Sequence, residues 1–270
     1  MNRSPSYAGR RVVQTVRTFR NGPRVLSDIT TARLTGRPRD IRFRVGGLDV
    51  VTPNRAGTRF PVYEVFTDDS YRLPWFAGGL APDAGALDIG AHIGSFSLRY
   101  AALRPAARVA SYEAIPSTHR YLAANIRRNG LDGRVAAHNV AVSSTDGTLR
   151  LADHGVASAH NGMSRLGEAG STTVEVPCVS LAHAMADLGA PAELVKLDCE
   201  GAEYDIVLGS DPALWEPVRR VVLEYHDMPG HSWEELRTFF GDVGLREVHR
   251  EPTLDRLGLA WVSRDPLPAP

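Results

Sequence analysis

The chain has 270 residues, 43% of them apolar and 23% charged, a composition ordinary for a globular fold with a full core. Its formal charge of +0 excludes the global positive field that recruits nucleic acid or an anionic membrane, and no apolar run approaches the ~20 residues of a membrane-spanning helix. Two cysteines, Cys178 and Cys199, make no disulfide framework, and the N-terminal stretch has no apolar secretory core; a reducing cytoplasm is the expected location, with Cys199 a small buried filler.

Residues 1–75 read as an extension packed on a main domain spanning 76–270. The first two dozen residues carry six arginines and no acid, a solvated basic face rather than a nucleic-acid contact. Val12, Val13, Val16 and Phe19 are spaced to line one face of a short helix. Ile41–Val45 alternates as a half-buried strand, and Gly46-Gly47 turns it into Leu48–Val51, a hairpin. Tyr63-Glu64-Val65-Phe66 follows, and Tyr71 to Trp75 lead into the core.

From Ala86 the rhythm is strand, turn, helix. Ala86–Ile89, Arg108–Tyr112, Val135–Val142, Glu193–Asp198 and Val218–Tyr225 are the expected core strands. Phe96–Leu103, Ser117–Arg128, Leu181–Leu188, Ala202–Leu208 and Ser232–Val243 are the expected helices, with Ser117 and Ser232 as N-caps and Gly130 as a stop. Thr148–Leu151 and Val174–Pro177 are further extended pieces, and Leu245–Arg250 with Gly258–Ser263 closes the chain as two strands. The alternation predicts an α/β fold: a mainly parallel sheet covered on both faces, with one antiparallel member at an edge. Residues 153–173, rich in Gly, Ser, Ala and His, form a loop long enough to be functional or disordered.

Three motifs carry chemistry. Leu87-Asp88-Ile89-Gly90-Ala91-His92-Ile93-Gly94 is a strand entering a glycine-bearing turn before a helix. His92 stands where a dinucleotide fingerprint needs its second glycine, and Asp88 would repel phosphate but suits an amino or sulfonium group. Glu113, at the end of the next strand, can accept hydrogen bonds from both hydroxyls of a ribose. Third, Val195-Lys196-Leu197-Asp198-Cys199-Glu200-Gly201-Ala202-Glu203 and Glu224-Tyr225-His226 end two adjacent strands, on the rim where open sheets bind ligands.

Lys196 is the only lysine; the other 30 of the 31 Lys and Arg residues are arginine. A lysine kept against that bias points to a tight, part-buried site that a planar guanidinium would not fit. Structural readings stand beside these: Lys196 paired with Glu224, Glu203 facing solvent, and His226 as a satisfied structural histidine. The spacing matches no zinc pattern, and no metal is expected, although a hard divalent ion could use these oxygens.

Together these motifs, with Pro116 after Glu113, resemble the FkbM family of S-adenosylmethionine-dependent methyltransferases over about Tyr63 to His226. The resemblance implies a class I methyltransferase fold, a Rossmann-like seven-stranded sheet whose last-inserted strand is antiparallel. It implies S-adenosyl-L-methionine as cofactor and O-methylation of a hydroxylated small molecule, such as a sugar or a polyketide-like natural product. Carried over, Asp88, Gly90 and Gly94 would hold the methionine end and Glu113 the ribose, Asn139, Val140 and Ala141 would lie by the adenine, and His92 and Asp198 are also expected among the cofactor-binding residues. His226 is the expected general base and Glu200 the second choice, with Lys196 and Asp198 supporting them; His154 and His160 in the loop come next. This chain departs from the family's pattern in two places: His92 replaces the more usual asparagine, and Ala114-Ile115 separates Glu113 from Pro116. A nicotinamide-dependent oxidoreductase and a non-catalytic adenosine-ligand-binding protein are the alternatives.

Overall fold

The computed structural model describes the chain except residues 1–4, 38, 56, 156–171, 227 and 255–256. The N-terminal segment forms two helices rather than one, α1 (Pro5–Thr18) and α2 (Gly22–Thr35). The expected valine stripe is not the packed face. Val12, Val13 and Val16 remain 47–49% exposed; of the expected face only Phe19 is buried, and Thr15 packs beside it. Strands β1 (Asp40–Val45) and β2 (Leu48–Pro53) form the expected hairpin, bringing Phe43 into an edge-to-face cluster with Phe19 and Tyr63. A short helix, α3 (Phe60–Tyr63), then runs into a single π-type turn over Glu64–Asp68, and α4 (Leu73–Phe76) follows. Phe19, Phe43, Val62 and Phe76 share one buried cluster with Ala86, Val109 and Leu194, so this segment packs directly on the sheet.

The sheet is built from β3 (Gly85–Ile89), β4 (Val109–Tyr112), β5 (Val135–His138), β9 (Ala192–Leu197), β10 (Arg220–Tyr225), β11 (Arg246–Leu254) and β12 (Leu257–Ser263). Its order is β11-β12-β10-β9-β3-β4-β5. Five of its strands are near-continuous apolar runs, as strands covered on both faces must be. Helices α5 (Ser95–Leu103), α6 (Pro116–Arg128), α7 (Leu181–Asp187), α8 (Glu203–Leu208) and α9 (Trp233–Asp242) supply the crossovers and cover. The antiparallel strand is β12, and it lies inside the sheet, inserted between β10 and β11, not at the edge expected from sequence. The closing hairpin doubles back, so the last strand fills the inner position and leaves β11 outermost.

Two local expectations also change. The run Val135–Val142 is two strands: β5 ends at His138, and β6 (Ala141–Ser143) leaves for a second sheet with β7 (Gly147–Asp153) and β8 (Thr172–Ser180), in the order β6-β8-β7. Asn139 marks the break; its Nδ2 donates to the carbonyls of Glu113 and Ala114 at 2.9 and 3.0 Å. Helix α6 starts at Pro116 with Ile115 at the cap, so Ser117 is already inside it; proline at the first helical position needs no N–H there. Ser232 does cap α9, in a reciprocal capping box with Glu235. Among the described residues no helix is long and apolar enough to cross a membrane.

Candidate active site

The strand–turn–helix after β3 is fixed by backbone geometry. Gly90 has φ +76°, and a Cβ there would lie 1.7 Å from the Asp198 carbonyl oxygen, so only glycine lets the β3 and β9 turns touch. His92 also sits left-handed, at φ +52°. Asparagine and histidine both tolerate that region better than most residues, which gives a physical reason why His92 can stand where asparagine is usual. The His92 amide donates to Glu113 Oε2 at 3.0 Å and the Ile115 amide to Oε1 at 2.8 Å, tying the first two motifs together. Burial pushes the Glu113 carboxyl up to about 7, against the pull of those two amides.

These turns close a cavity of about 550 Å³ at the carboxyl ends of β3, β4, β9 and β10. Gly90, His92, Glu113 and Val140 line one part of it, with Leu149 and Leu151 from the small sheet; Lys196, Asp198, Glu200, Glu224 and His226 line another. Three expected residues lie behind the wall. Asp88 is wholly buried, its Oδ2 accepting from the amide and hydroxyl of Ser97; Gly94 opens α5 with φ +89°; Asn139 braces Glu113 from outside. Ser95, 3% exposed at the amide end of α5, also lines the cavity, and its hydroxyl has no partner among the described residues. A buried, unpaired hydroxyl beside free helix amides suits a carboxylate, and Glu113 and Gly90 leave room for a nucleoside's sugar, so the donor set fits an adenosyl amino-acid ligand.

Lys196, 2% exposed, is the pin of the site. Its ammonium donates to the Gly90 carbonyl at 2.6 Å and lies 3.2 Å from Asp88 Oδ1 and 3.6 Å from Asp198 Oδ2, not against Glu224. Burial alone would lower its pKa, but the two carboxylates outweigh this and raise it. For Asp198, burial opposes the effect of Lys196, which wins and holds the carboxyl below its ordinary value. Glu203 does not face solvent: it is fully buried, accepts the amides of Cys199 and Gly201, and meets His226 Nδ1 at 3.1 Å. His226 Nε2 lies 3.5 Å from Glu200 Oε2. Burial works against the charged imidazole, yet Glu203 and then Glu200 raise it to about 10. Glu200 is held left-handed, at φ +54°, the kind of backbone strain that gathers at working sites. Cys199 packs against the core and also lines the cavity, and burial and Glu203 push its thiol well above its ordinary value.

Besides Ser95, sequence reading missed two residues from the N-terminal segment. Tyr71 donates to Asp198 Oδ2 at 2.6 Å, its ring edge-on to Phe96 and its carbonyl held by Trp261 Nε1. Glu64 reaches the same cavity from the π-type turn. The available signal was an acid inside the apolar run Val62-Tyr63-Glu64-Val65-Phe66. His154 precedes the undescribed stretch 156–171 that contains His160, so the loop's proposed role lies outside the described residues.

The profile of the methyltransferase FkbM domain matches residues 88–247. The chain is 30% identical over 224 residues to the 31-O-demethyl-FK506 methyltransferase FkbM of Streptomyces tacrolimicus, covering 72% of this chain and 85% of that protein. It is 29% identical over 218 residues to the AMB antimetabolite synthetase AmbE of Pseudomonas aeruginosa, covering 68% of this chain but only 10% of that much longer protein. Among solved structures, methyltransferase FkbM from Methylobacillus flagellatus KT aligns with a TM-score of 0.49 at 11% identity, over 76% of this chain and 53% of that one. With a matched region that spans the glycine turn, Glu113 and the Lys196–Glu203 motif, the chain belongs to the FkbM methyltransferase family, and its cofactor is S-adenosyl-L-methionine.

Proposed function

We propose that this methyltransferase acts on a hydroxyl of a small-molecule acceptor, a sugar or another natural product. One observation carries the reading: the cavity has a glycine-and-Glu113 part suited to the cofactor, and it continues without a break into a carboxylate-and-histidine part suited to an acceptor that must lose a proton. The relative named as a 31-O-demethyl-FK506 methyltransferase supports oxygen as the receiving atom. Neither an oxidoreductase nor a non-catalytic binding role draws support from the relatives.

The bound cofactor supplies an activated methyl on a sulfonium; the protein's share is alignment, exclusion of water and handling of one proton. Gly90 allows close approach, Ser95 and the amides of α5 take the carboxylate, and Glu113 takes the ribose hydroxyls. Asp88 acts from behind, holding Lys196 and Ser97 in place. Lys196 fixes Asp198, and Tyr71 orients it. His226, aimed by Glu203, is the group assigned to the acceptor's proton, which it takes in its neutral form; Glu200 is the second choice.

The test is mass spectrometry of hydroxylated glycosides and polyketides incubated with the enzyme and isotopically labelled cofactor. A labelled methyl on oxygen is expected. His226→Ala should lower turnover roughly 10²–10⁴-fold with cofactor affinity unchanged. Full turnover in His226→Ala with loss in Glu200→Gln moves the role to Glu200; methyl found only on carbon or nitrogen overturns the hydroxyl reading.

A further inference from the structure

The N-terminal segment supplies part of the cavity's lining, through Gly57, Phe60, Pro61, Glu64 and Tyr71. Tyr71 ties that segment to the acceptor part, because its hydroxyl donates to Asp198 Oδ2 at 2.6 Å. Phe60 and Glu64 are four residues apart, and the Glu64 amide donates to the Phe60 carbonyl, so both side chains rise from one face of the turn. Burial is inverted here. The polar residues Thr52, Asn54 and Thr58 are at most 5% exposed, whereas Phe60 remains 45% exposed. Single apolar residues on an open surface need no explanation. Phe60 differs: of the five large apolar side chains left exposed among the described residues, it alone lines the cavity, the other four being Val12, Val13, Val16 and Leu34 on α1 and α2.

The turn that presents Phe60 is held in one conformation. Thr52 Oγ1 donates to the Thr58 carbonyl at 3.0 Å, and the Thr58 hydroxyl donates to the Pro53 carbonyl. Asn54 Nδ2 donates to the Asp28 carbonyl at 2.8 Å, and Arg59 Nη1 to Asn54 Oδ1 at 2.6 Å. Pro61, in the first turn of α3, fixes the backbone next to Phe60. A satisfied polar network of this kind makes its segment rigid, so a ligand that covers the ring does not have to order the segment first.

We propose that Phe60 is a specificity-determining residue whose exposed side chain covers an apolar ring or chain of the acceptor at the rim of the cavity, so that the enzyme selects hydroxyl compounds with an apolar body, such as aryl or alkyl glycosides, over free sugars. This rests on the hydroxyl reading above and narrows its substrate class. The contact lies away from the reacting atoms and transfers none. It is made equally before and during methyl transfer, so it acts on KM and leaves kcat unchanged.

The experiment uses the full chain saturated with S-adenosylhomocysteine and, as probes, the methyl, cyclohexyl and phenyl glycosides of the same sugars. Titration calorimetry is followed by methyl-transfer kinetics with the active cofactor. The cyclohexyl and phenyl members should bind more tightly than the methyl member. Phe60→Ala should remove roughly 3- to 10-fold of that gain, the scale of covering the exposed half of one phenylalanine, and should do so through KM. Phe60→Leu should restore most of it, while affinity for the methyl glycoside and for S-adenosylhomocysteine stays at the wild-type level in both variants. Equal binding of all three glycosides to the wild type, or binding of none, overturns the proposal, as does a gain that survives Phe60→Ala. A fall in S-adenosylhomocysteine affinity in Phe60→Ala also overturns it, because the ring then belongs to the cofactor's part of the cavity. Methyl on oxygen with no gain removes this inference alone, whereas methyl only on carbon or nitrogen undoes the hydroxyl reading beneath it.

Discussion

Replacing Lys196 by methionine keeps the volume and removes the charge at a position only 2% exposed. The variant leaves Asp88, wholly buried, and Asp198 facing each other without the ammonium that now lies 3.2 and 3.6 Å away, and it strips the Gly90 carbonyl of its donor. Removing one member of a buried ion pair costs about 3–5 kcal/mol, because the charge left behind stays desolvated. At about 2–4 °C per kcal/mol for a chain of this size, the melting temperature should fall by roughly 6–20 °C. The pH range follows from the shifts. Asp198 is held below its ordinary 3.8, so its contribution is full above that value and disappears as pH falls through the lower folded value; Lys196 is raised above 10.5, so its contribution is full below that and disappears as pH rises through the higher one. Between about pH 5 and 9 the loss should therefore be constant. Urea unfolding of the wild type, Lys196→Met, Lys196→Arg and the Lys196→Met/Asp88→Asn double variant measures it. The arginine variant should also be destabilised, since the fork cannot fit where three short contacts meet, and the double variant should recover part of the loss. A Lys196→Met protein within about 1 kcal/mol of wild type would refute the reasoning.

Three further outcomes are expected. Gly90→Ala should fail to give folded, cofactor-binding protein, because the new Cβ would lie 1.7 Å from the Asp198 carbonyl; Gly46→Ala, also left-handed at φ +55° but with nothing within 4 Å, should cost only about 1–2 kcal/mol by circular dichroism melts. With His226 raised to about 10, kcat/KM should climb with pH from neutrality towards about 10, and Glu203→Gln should move the rise towards neutrality; a wild-type plateau reached near 8 would assign the proton to Glu224 instead. Tyr71→Phe removes a 2.6 Å hydrogen bond to a carboxylate and should lower stability by about 1.5–3 kcal/mol in the same urea assay, with no loss meaning that Asp198 finds another donor.

The alternation of apolar runs with capped helical stretches made the parallel sheet legible, because each β-α unit is specified within about thirty residues of sequence. The site's rim was legible for the same reason: strand ends in register gather Lys196, Asp198, Glu224 and His226 by topology alone. What stayed hidden depends on contacts between residues far apart in the chain. Whether β12 lies inside the sheet or at its edge depends on which strand of the final hairpin pairs with β10, and the one local signal was the apolar run Leu257–Ser263 beside the polar Arg246–Leu254. The run Val135–Val142 reads as one strand because the break at Asn139 is made by hydrogen bonds to Glu113 and Ala114, 26 and 25 residues away. Tyr71 reaches Asp198 across 127 residues, and nothing local marks either as the other's partner. Glu64 is the instructive case. An acid inside an apolar run is costly wherever the run is buried, so its presence should have prompted a search for what it faces, and Glu64 lines the cavity, where Lys196 is the cation that acts on it.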